Sequence, residues 1–322
     1  MRVNVLHHGH CFDGIASAAV FCALLRHLEP TARFELVPKA HAPGDPFEPA
    51  DFEADVVACV DFRYSDHPRL SWWFDHHRSA FQLPGQREHF EADQSGRKFY
   101  DPEAPSCTGF VARVATERFG FDASPHAELV RWAEIVDAAA FSDPAMPVLL
   151  EEPALRLMTF AEQSAERGLI TRFAEDLLAR PLAELAAAEY VERTLAPVLA
   201  QHRHDIELLR ERCRLRGDVV EYDLLDQPPR IYNKFIAYYH HPRARYVVGT
   251  SIGPDGTPKL TAGYNPWLPA DAREHGLAEL CERFGGVGHP FVGGVSFGPA
   301  QEHRAREAQA FIAAVLRGDR AA

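Results

Sequence analysis

Apolar and polar positions along the chain form short strand patterns separated by longer helical patterns. Largely apolar runs at 3–6, 34–38 and 56–60 are typical of buried strands. The segment 14–28, rich in small and apolar residues, predicts a helix between the first two runs. Because strands that alternate with helices usually form a parallel sheet, the pattern predicts an α/β domain at the N-terminal end.

Helical patterns dominate the middle of the chain, and a second alternating section follows. The middle comprises an aromatic strand pattern at 70–74, a loop-rich section at 82–105, and helices at 107–119, 126–140 and through most of 151–213. The last section comprises strands at 218–225, 244–252, 259–265 and 291–297 and helices near 272–284 and 301–317. Pro197 is expected to kink a long helix or mark a boundary, because proline interrupts helical hydrogen bonding.

These patterns predict two domains and a connector. The predicted bounds are 1–190 for a metal-binding domain, 191–214 for a helical linker, and 215–322 for a smaller α/β domain that binds substrate. A chain of 322 residues with 46% hydrophobic and 25% charged residues suits a globular protein of this size.

Charge, apolar run length and cysteine content limit which cellular compartment and which binding partners are expected. With 34 Lys and Arg against 46 Asp and Glu, the net charge of −12 disfavours binding to long nucleic acid, so a small phosphorylated substrate is expected. No apolar run reaches bilayer length and the first residues form a strand pattern, which predicts a cytoplasmic protein without a membrane partner. Six cysteines without CxxC spacing predict reduced thiols. A homodimer is compatible with the sequence.

Histidines and aspartates follow three of the predicted strands. The candidates are His7, His8, His10, Cys11 and Asp13 after the first strand, Asp61 after the third, Asp75, His76 and His77 after the fourth, and Asp137 late in a helix. Singly, such residues are usually turn formers, helix caps or solvated side chains. Because parallel strands end at one edge of a sheet, the set together predicts a metal site for Mn, Fe or Zn.

These motifs resemble those of the DHH phosphoesterase family. The segment 8–14 (HGHCFDG) resembles the first motif, Asp61 the second, 75–77 (DHH) the third and Asp137 the fourth. In the C-terminal half, 285–290 (GGVGHP) resembles the GGGHP signature of the family's accessory domain. The ordered set spans both predicted domains and is similar to the two-domain members that act as nano-RNases or oligoribonucleases.

The resemblance implies a fold, a cofactor and a mechanism. It implies a parallel-sheet N-terminal domain, a helical linker and a smaller α/β domain, with the active site in the interdomain cleft. Asp61 would bridge two metals, Asp13, His76 and Asp137 would complete one of them, and a first-motif histidine would hold the other. Two Mn²⁺ ions are expected, with Mg²⁺, Co²⁺, Fe²⁺ or Zn²⁺ as alternatives. A metal-bridging hydroxide would attack the phosphate, which His77 would contact.

The first motif departs from the commoner family form. That form has two aspartates spaced D-x-D, and Cys11 stands at the first of them. A subset with H-x-x-C-x-D-G favours His8 as the ligand, whereas His7 has the spacing of the commoner form. Cys11 either ligates as a thiolate, which favours Zn or Fe over Mn, or leaves a gap for water or His10, or packs at the strand end.

The second domain is expected to select the substrate. Glycines allow close backbone approach to a phosphate, and a histidine adds a donor. The candidate substrate-binding residues are Arg78, Arg245, Asn265, Gly286, Gly288 and His289. Each has an ordinary structural alternative, namely a glycine turn, packing at a strand end or a solvated arginine.

Three functions are compatible with these residues. The favoured one is a Mn-dependent phosphodiesterase or phosphatase that acts from the 3′ end on short oligoribonucleotides or linear dinucleotides, and also on nucleoside 3′,5′-bisphosphates, with His77 and Asp61 as catalytic residues. A polyphosphate or pyrophosphate hydrolase would need more Lys and Arg near the motifs. A nucleotide-binding sensor would have lost its second metal through Cys11.

Overall fold

The computed structural model describes residues 1–40, 44–164 and 166–319, with the backbone alone at position 289. The chain divides into two compact units, Met1–Phe141 with Leu150–Leu195, and Ser142–Leu149 with Ala196–Ala322. We call them the first and the second unit. The segment Ser142–Leu149, which lies inside the bounds predicted for the first domain, groups with the second unit.

The strands and helices lie close to where the hydrophobic pattern predicts them. The strands are β1 Arg2–His8, β2 Arg33–Lys39, β3 Val56–Val60, β4 Leu70–Asp75, β5 Lys98–Tyr100, β6 Arg214–Arg216, β7 Val219–Leu224, β8 Tyr246–Ile252, β9 Pro258–Tyr264, β10 Val287–His289 and β11 Val292–Ser296. The α-helices are α1 Phe12–Leu28, α2 Gln86–Glu91, α3 Cys107–Phe119, α4 Ala127–Asp137, α5 Met146–Leu149, α6 Pro153–Gln163, α7 Arg167–Ala179, α8 Leu182–Ala186, α9 Glu189–Arg212, α10 Ile236–His240, α11 Leu277–Glu282 and α12 Glu302–Leu316. Short 3₁₀ helices occupy Pro49–Phe52, Ser124–His126 and Ala270–Ala272.

A five-stranded parallel sheet forms the centre of the first unit, in the order β2-β1-β3-β4-β5. Helix α1 packs against α3 and α7 and is buried along most of its length, because small residues between Gly14 and Ala19 let neighbouring elements approach closely. All strands of this sheet run in one direction, so β1, β3 and β4 end at the same edge.

Two short elements lie in the section that the sequence predicts to be loop-rich. Helix α2 and the three-residue strand β5 are too short for a periodic signal to identify. Aromatic contacts hold β5 in place, since the rings of Trp73 and Tyr100 stack with centroids 5.8 Å apart. The C-terminal end of β5 therefore lies beside the end of β4, where Asp75 pairs with Tyr100.

A mixed sheet forms the second unit, in the order β10-β11-β9-β8-β7-β6. Helices α11 and α12 cover one face around Tyr246 and Leu260, and α10 with the end of α9 covers part of the other around Val220 and Val247. Helix α9 continues through Pro197, and the unit boundary at Leu195 lies next to that proline. The predicted α/β class, with a parallel N-terminal sheet, a helical region and a second sheet, is confirmed.

Among the described residues, no helix combines the length and the apolar character that crossing a bilayer requires.

Candidate metal centre

Side chains from three neighbouring strand ends and two helix ends meet at one edge of the parallel sheet. Three overlapping groups have potential ligand atoms within 4.8 Å of one another, namely His8, Cys11 and Asp61; Asp61, His76 and His77; and Asp13, His76 and Asp137. Asp61 and His76 each belong to two of the groups. Shared members are what adjacent metal ions need, because one carboxylate can contribute an oxygen to each ion.

Asp61 lies at the centre of this cluster. Its side chain is 1% exposed, and within the described part of the chain neither carboxylate oxygen has a hydrogen-bond partner. Its oxygens lie 3.5 Å from His76 Nε2, 3.6 Å from His8 Nδ1 and 3.8 Å from His77 Nδ1. These distances exceed a good hydrogen bond. Ligand atoms bound about 2.1 Å from one ion are about 3.0–3.4 Å apart. A small inward movement of these side chains would therefore bring their oxygen and nitrogen atoms to the distances that a divalent cation requires.

The backbone of Asp61 has a left-handed conformation and is held by a hydrogen bond to the neighbouring strand. Its φ of 54° is in the left-handed region, which aspartate tolerates better than most residues. Its N–H donates to the carbonyl of Phe74 at 2.9 Å, which ties the residue to the end of β4. Burial opposes ionisation of Asp61, but His76, His8 and His77 outweigh it, so the pKa of Asp61 is lowered and it stays a carboxylate.

His76 has one ring nitrogen fixed by the protein. Its Nδ1 donates to the carbonyl of Ala104 at 2.9 Å, because a carbonyl can only accept. Nε2 therefore lies among the carboxylates, 3.4 Å from Asp137, 3.5 Å from Asp61 and 3.9 Å from Asp13. Burial lowers the pKa of His76, but the acceptors Asp61 and Ala104 and the charge of Asp13 raise it to about 10. In the metal-free protein a proton thus occupies the position that suits a cation.

Asp13 is anchored by the start of helix α3. Its Oδ2 accepts from the Cys107 N–H at 2.7 Å and its Oδ1 accepts from the Thr108 N–H at 3.0 Å. Burial raises the pKa of Asp13 well above its ordinary value, and the charges of Asp61 and Asp137 raise it further. Gly14 permits this arrangement, since a Cβ there would lie 2.2 Å from the carbonyl oxygen of His8.

Asp137 is the last residue of α4 rather than an interior helical residue. Its side chain is 26% exposed, so it is the most accessible of the carboxylates around His76. Burial raises the pKa of Asp137, and the neighbouring charge of Asp61 adds to that effect. A cation near His76 would relieve the repulsion between these carboxylates.

The first motif contributes His8 and Cys11 to the donor groups. His7 is fully buried, its Nδ1 donates to the His8 carbonyl at 3.0 Å, and burial lowers its pKa to about 4. His10 has a φ of 55° and its Nδ1 lies 3.3 Å from the Glu162 carbonyl. Within the described residues, neither His7 nor His10 belongs to a donor group. The geometry therefore favours His8 as the ligand from this motif.

Cys11 precedes helix α1 and lies near His8 and Asp61. Burial raises the pKa of its thiol well above the ordinary value, and the charges of Asp61 and Asp13 raise it further. Without a cation the thiol is therefore protonated, and only a bound metal would make it a thiolate ligand. Whether Cys11 ligates stays a prediction.

Two predicted substrate-binding arginines form ion pairs at the surface. Arg78 is 80% exposed and lies 2.8 Å from Glu103. Arg245 pairs with Asp218 at 2.9 Å and also with Glu274. These contacts match the ordinary structural alternative for each arginine, so substrate binding by either stays a prediction.

Asn265 is buried and its side chain bonds to the surrounding backbone, so substrate binding by Asn265 stays a prediction. It is fully buried, and its amide donates to the carbonyls of Pro242 at 3.0 Å and Ala244 at 2.8 Å. Its side-chain oxygen accepts from the Trp267 N–H at 3.0 Å. Asn265, which follows the last residue of β9, thus closes a turn, as polar residues after strands often do.

Packing explains the glycines at 286 and 288. A Cβ at Gly286 would lie 2.3 Å from the Gly294 carbonyl oxygen, and one at Gly288 would lie 2.4 Å from that of Val292. Both glycines therefore allow β10 to approach β11 and α11. Their contact with a phosphate stays a prediction. The side chain of His289 lies outside the described part of the structure.

Asp75 is the site residue that the sequence did not assign to a role. It is fully buried, and its Oδ1 lies 2.7 Å from His77 Nδ1. His77 itself is 33% exposed, and although burial lowers its pKa, Asp75 raises it to about 9. An aspartate followed directly by polar residues at a strand end is the only sequence signal for this contact, and it is shared with ordinary turns.

The raised pKa values of His76 and His77 predict how stability depends on pH without metal. Both folded values, about 10 and about 9, exceed the ordinary 6.5. Their stabilisation is complete below pH 6.5 and is lost as pH rises through 9 and 10. We expect the free energy of unfolding of metal-stripped protein, measured in urea titrations, to fall as pH rises from 6.5 to 10. A flat profile would contradict these pKa values.

Comparisons with known proteins show which solved structures have a similar fold. No family model matches the chain, and no curated protein matches it. A structure titled pGpG-specific phosphodiesterase PggH, from Vibrio cholerae, matches with a TM-score of 0.67 and 18% identity, covering 98% of this chain and 100% of that one. An exopolyphosphatase-related protein from Bacteroides fragilis matches with a TM-score of 0.52 and 15% identity, covering 98% and 93%.

A third solved structure is RecJ from Thermus thermophilus, in complex with Mn²⁺. It matches with a TM-score of 0.55 and 16% identity, covering 98% of this chain and 52% of that one. All three are similar to this chain along nearly its whole length. The resemblance seen in the motifs is thereby confirmed at the level of the fold, and the chain has the two-domain fold of the DHH phosphoesterases.

Proposed function

We propose that this chain is a metal-dependent phosphodiesterase that hydrolyses short oligoribonucleotides or linear dinucleotides, and also nucleoside 3′,5′-bisphosphates. The observation that carries the proposal is Asp61, a buried carboxylate that has no hydrogen-bond partner among the described residues and belongs to two of the three donor groups. A buried carboxylate without good hydrogen bonds is stabilised by nearby positive charge, which the His76 imidazolium supplies in the metal-free protein and a metal cation would supply in its place. The imidazole and carboxylate donors around it suit divalent transition metals.

The donor set divides into two overlapping positions. Asp13, His76 and Asp137 would hold one ion with Asp61, and His8 would hold a second with Asp61, with Cys11 as a further candidate. Divalent ions in such a pair supply an activated water and neutralise charge on the phosphate. We propose Mn²⁺ for both positions.

The protein's own groups then orient and stabilise the reacting phosphate. His77 lies beside both Asp61 and His76, with ring centroids of His76 and His77 4.7 Å apart. Its side chain is 33% exposed, so it remains accessible to a ligand. We propose that it donates to a phosphoryl oxygen or to the leaving oxygen.

The alternative function is a polyphosphate or pyrophosphate hydrolase, and the similarity to the exopolyphosphatase-related protein favours testing it. The test incubates purified protein with Mn²⁺ and a panel of di- to pentaribonucleotides, linear and cyclic dinucleotides, adenosine 3′,5′-bisphosphate and tripolyphosphate. Turnover of the nucleotides alone supports the proposal. Turnover of tripolyphosphate alone would replace it with the alternative, and stable metal binding without any turnover would indicate a sensor.

Substrate length provides a further prediction. The net charge of −12 gives a long polyanion little to bind beyond the metal site, so kcat/KM should fall as an oligoribonucleotide lengthens from 2 toward tens of nucleotides. The measurement compares kcat/KM for RNAs of increasing length at fixed ionic strength. Equal efficiency on RNA of tens of nucleotides would contradict the proposal of a short substrate.

His289 tests the predicted role of the second unit in binding. His289→Ala should raise KM by about tenfold with a smaller change in kcat, because a contact made equally in ground and transition states acts on binding. His303→Ala, which removes an exposed histidine of α12 in the same unit, is the matched control. An unchanged KM in His289→Ala would remove this residue from the binding site.

A further inference from the structure

Asp75, the first residue of the Asp-His-His sequence, lies closer to the His77 imidazole than Asp61 does. The Asp75 Oδ1 to His77 Nδ1 distance is 2.7 Å, whereas Asp61 Oδ1 lies 3.8 Å from the same nitrogen. We propose that Asp75 is a positioning residue, which holds the His77 imidazole in one orientation for phosphoester hydrolysis. This inference rests on the function proposed above.

The hydrogen bonds of Asp75 define the orientation of the ring. Its Oδ1 accepts from the backbone N–H groups of His76 at 2.8 Å and His77 at 3.2 Å, in addition to His77 Nδ1. A carboxylate oxygen can only accept, so Nδ1 must carry the hydrogen. The opposite ring nitrogen, Nε2, is then the one directed away from Asp75. One buried oxygen thus fixes both the turn and the imidazole that follows it.

The surroundings hold Asp75 itself in place. It is the last residue of β4, is fully buried, and its carbonyl accepts from the Asp101 N–H at 3.2 Å. The hydroxyl of Tyr100 donates to the His77 carbonyl at 3.1 Å, and the Ala80 N–H donates to the same carbonyl at 3.0 Å. The end of β4 therefore positions Asp75, and the hydrogen bonds to the His77 carbonyl position His77. Catalytic groups require such fixed positions.

His76 has a different hydrogen-bond partner from His77, which indicates different roles for the two histidines. His76 Nδ1 donates to the Ala104 backbone carbonyl, whereas His77 Nδ1 donates to a buried carboxylate. Among the described residues, the Asp75 side chain bonds only to His76 and His77, and Asp75 belongs to none of the three donor groups. We infer that Asp75 acts through His77 and not as a metal donor.

A double-mutant cycle tests this inference. Asp75→Asn keeps the shape and one acceptor oxygen but places an NH₂ group in the buried position or toward Nδ1. We expect kcat to fall about 30-fold or more, KM to change by less than about threefold, and metal content to stay unchanged. In a His77→Ala background, Asp75→Asn should lower kcat by no more than about twofold, because the group it positions is gone.

The control is Asp93→Asn. Asp93 also accepts a hydrogen bond from a backbone N–H, that of Ser95 at 3.0 Å, but its described bonds to Ser95 and Lys98 do not involve any residue of the three metal-donor groups. The Asp93→Asn variant should hydrolyse substrate at the wild-type rate. Equal losses from Asp75→Asn in the wild-type and His77→Ala backgrounds, or wild-type kcat in Asp75→Asn, would overturn the positioning role.

A spectroscopic measurement separates this inference from the proposed function and needs no variant to fold. In wild-type protein carrying ¹⁵N-histidine and stripped of metal, His77 Nδ1 should carry a slowly exchanging proton shifted downfield by the carboxylate bond. Absence of that signal would overturn the inference even if hydrolysis is observed. Its presence in a protein that hydrolyses none of the substrates would refute the proposed function and confirm only the contact.

Discussion

Asp61→Ala is expected to abolish phosphoester hydrolysis, with kcat/KM at least about 10³-fold lower, and to reduce bound metal well below that of the wild type. Asp61 belongs to two of the three donor groups, and no other carboxylate among the described residues lies close to both His8 and His76. Its removal therefore affects both ion positions at once. The substitution also leaves the imidazoles of His8 and His76 without the carboxylate that lies near both.

The backbone conformation at Asp61 determines which second variant is needed. Alanine is disfavoured at a φ of 54°, so Asp61→Ala carries a folding cost that is unrelated to metal. Asn tolerates this region, so Asp61→Asn separates the two effects. Asp61→Asn should remain folded in metal-free buffer while losing bound metal, measured by mass spectrometry, and activity.

Asp66→Ala provides the matched control, because it removes an exposed carboxylate five positions along the same segment. It should retain both metal and turnover. Near wild-type hydrolysis in Asp61→Asn would show that the donor cluster is not the active site. Loss of activity with full metal content would instead restrict Asp61 to a role in the reaction.

Much of the site could be predicted because its residues follow strong strand patterns. The apolar run at 56–60 is β3 itself, and the aromatic run at 70–74 is β4 without its last residue. In a parallel sheet such strands end together, so Asp61 and the residues after β4 had to be neighbours once the sheet was identified. Sequence position alone could not show which ring nitrogen faces which carboxylate.

Other residues could not be assigned because their local sequence supports two structures equally well. Asn265 and Asp75 both lie at a strand end, yet Asn265 uses its side-chain bonds to close a turn, whereas Asp75 also contacts a site imidazole. The distinction depends on tertiary contacts. The glycines 286 and 288 are similar, since a flexible loop and a tightly packed strand such as β10 both require glycine.

The two histidines of the Asp-His-His sequence should differ in what their removal changes. His76 Nε2 lies within 3.9 Å of Asp13, Asp61 and Asp137, so His76→Ala should lose bound metal and, with it, activity. His77 Nδ1 is engaged by Asp75 at 2.7 Å, and His77 is proposed to act on the phosphate. His77→Ala should therefore keep its metal and lose about 10²–10⁴-fold in kcat, with KM little changed.

Metal content by mass spectrometry and steady-state kinetics on a linear dinucleotide, measured on the same preparations, decide between the two roles. His89→Ala controls for the loss of an imidazole in the same unit, since His89 bonds to Tyr64 through Nδ1 at 2.8 Å and belongs to no donor group among the described residues. Equal metal loss in His76→Ala and His77→Ala would make His77 a ligand, which its place beside Asp61 and His76 also permits. In that case the positive group that acts on the phosphate would have to come from elsewhere, because a ligated imidazole cannot also donate its ligating nitrogen.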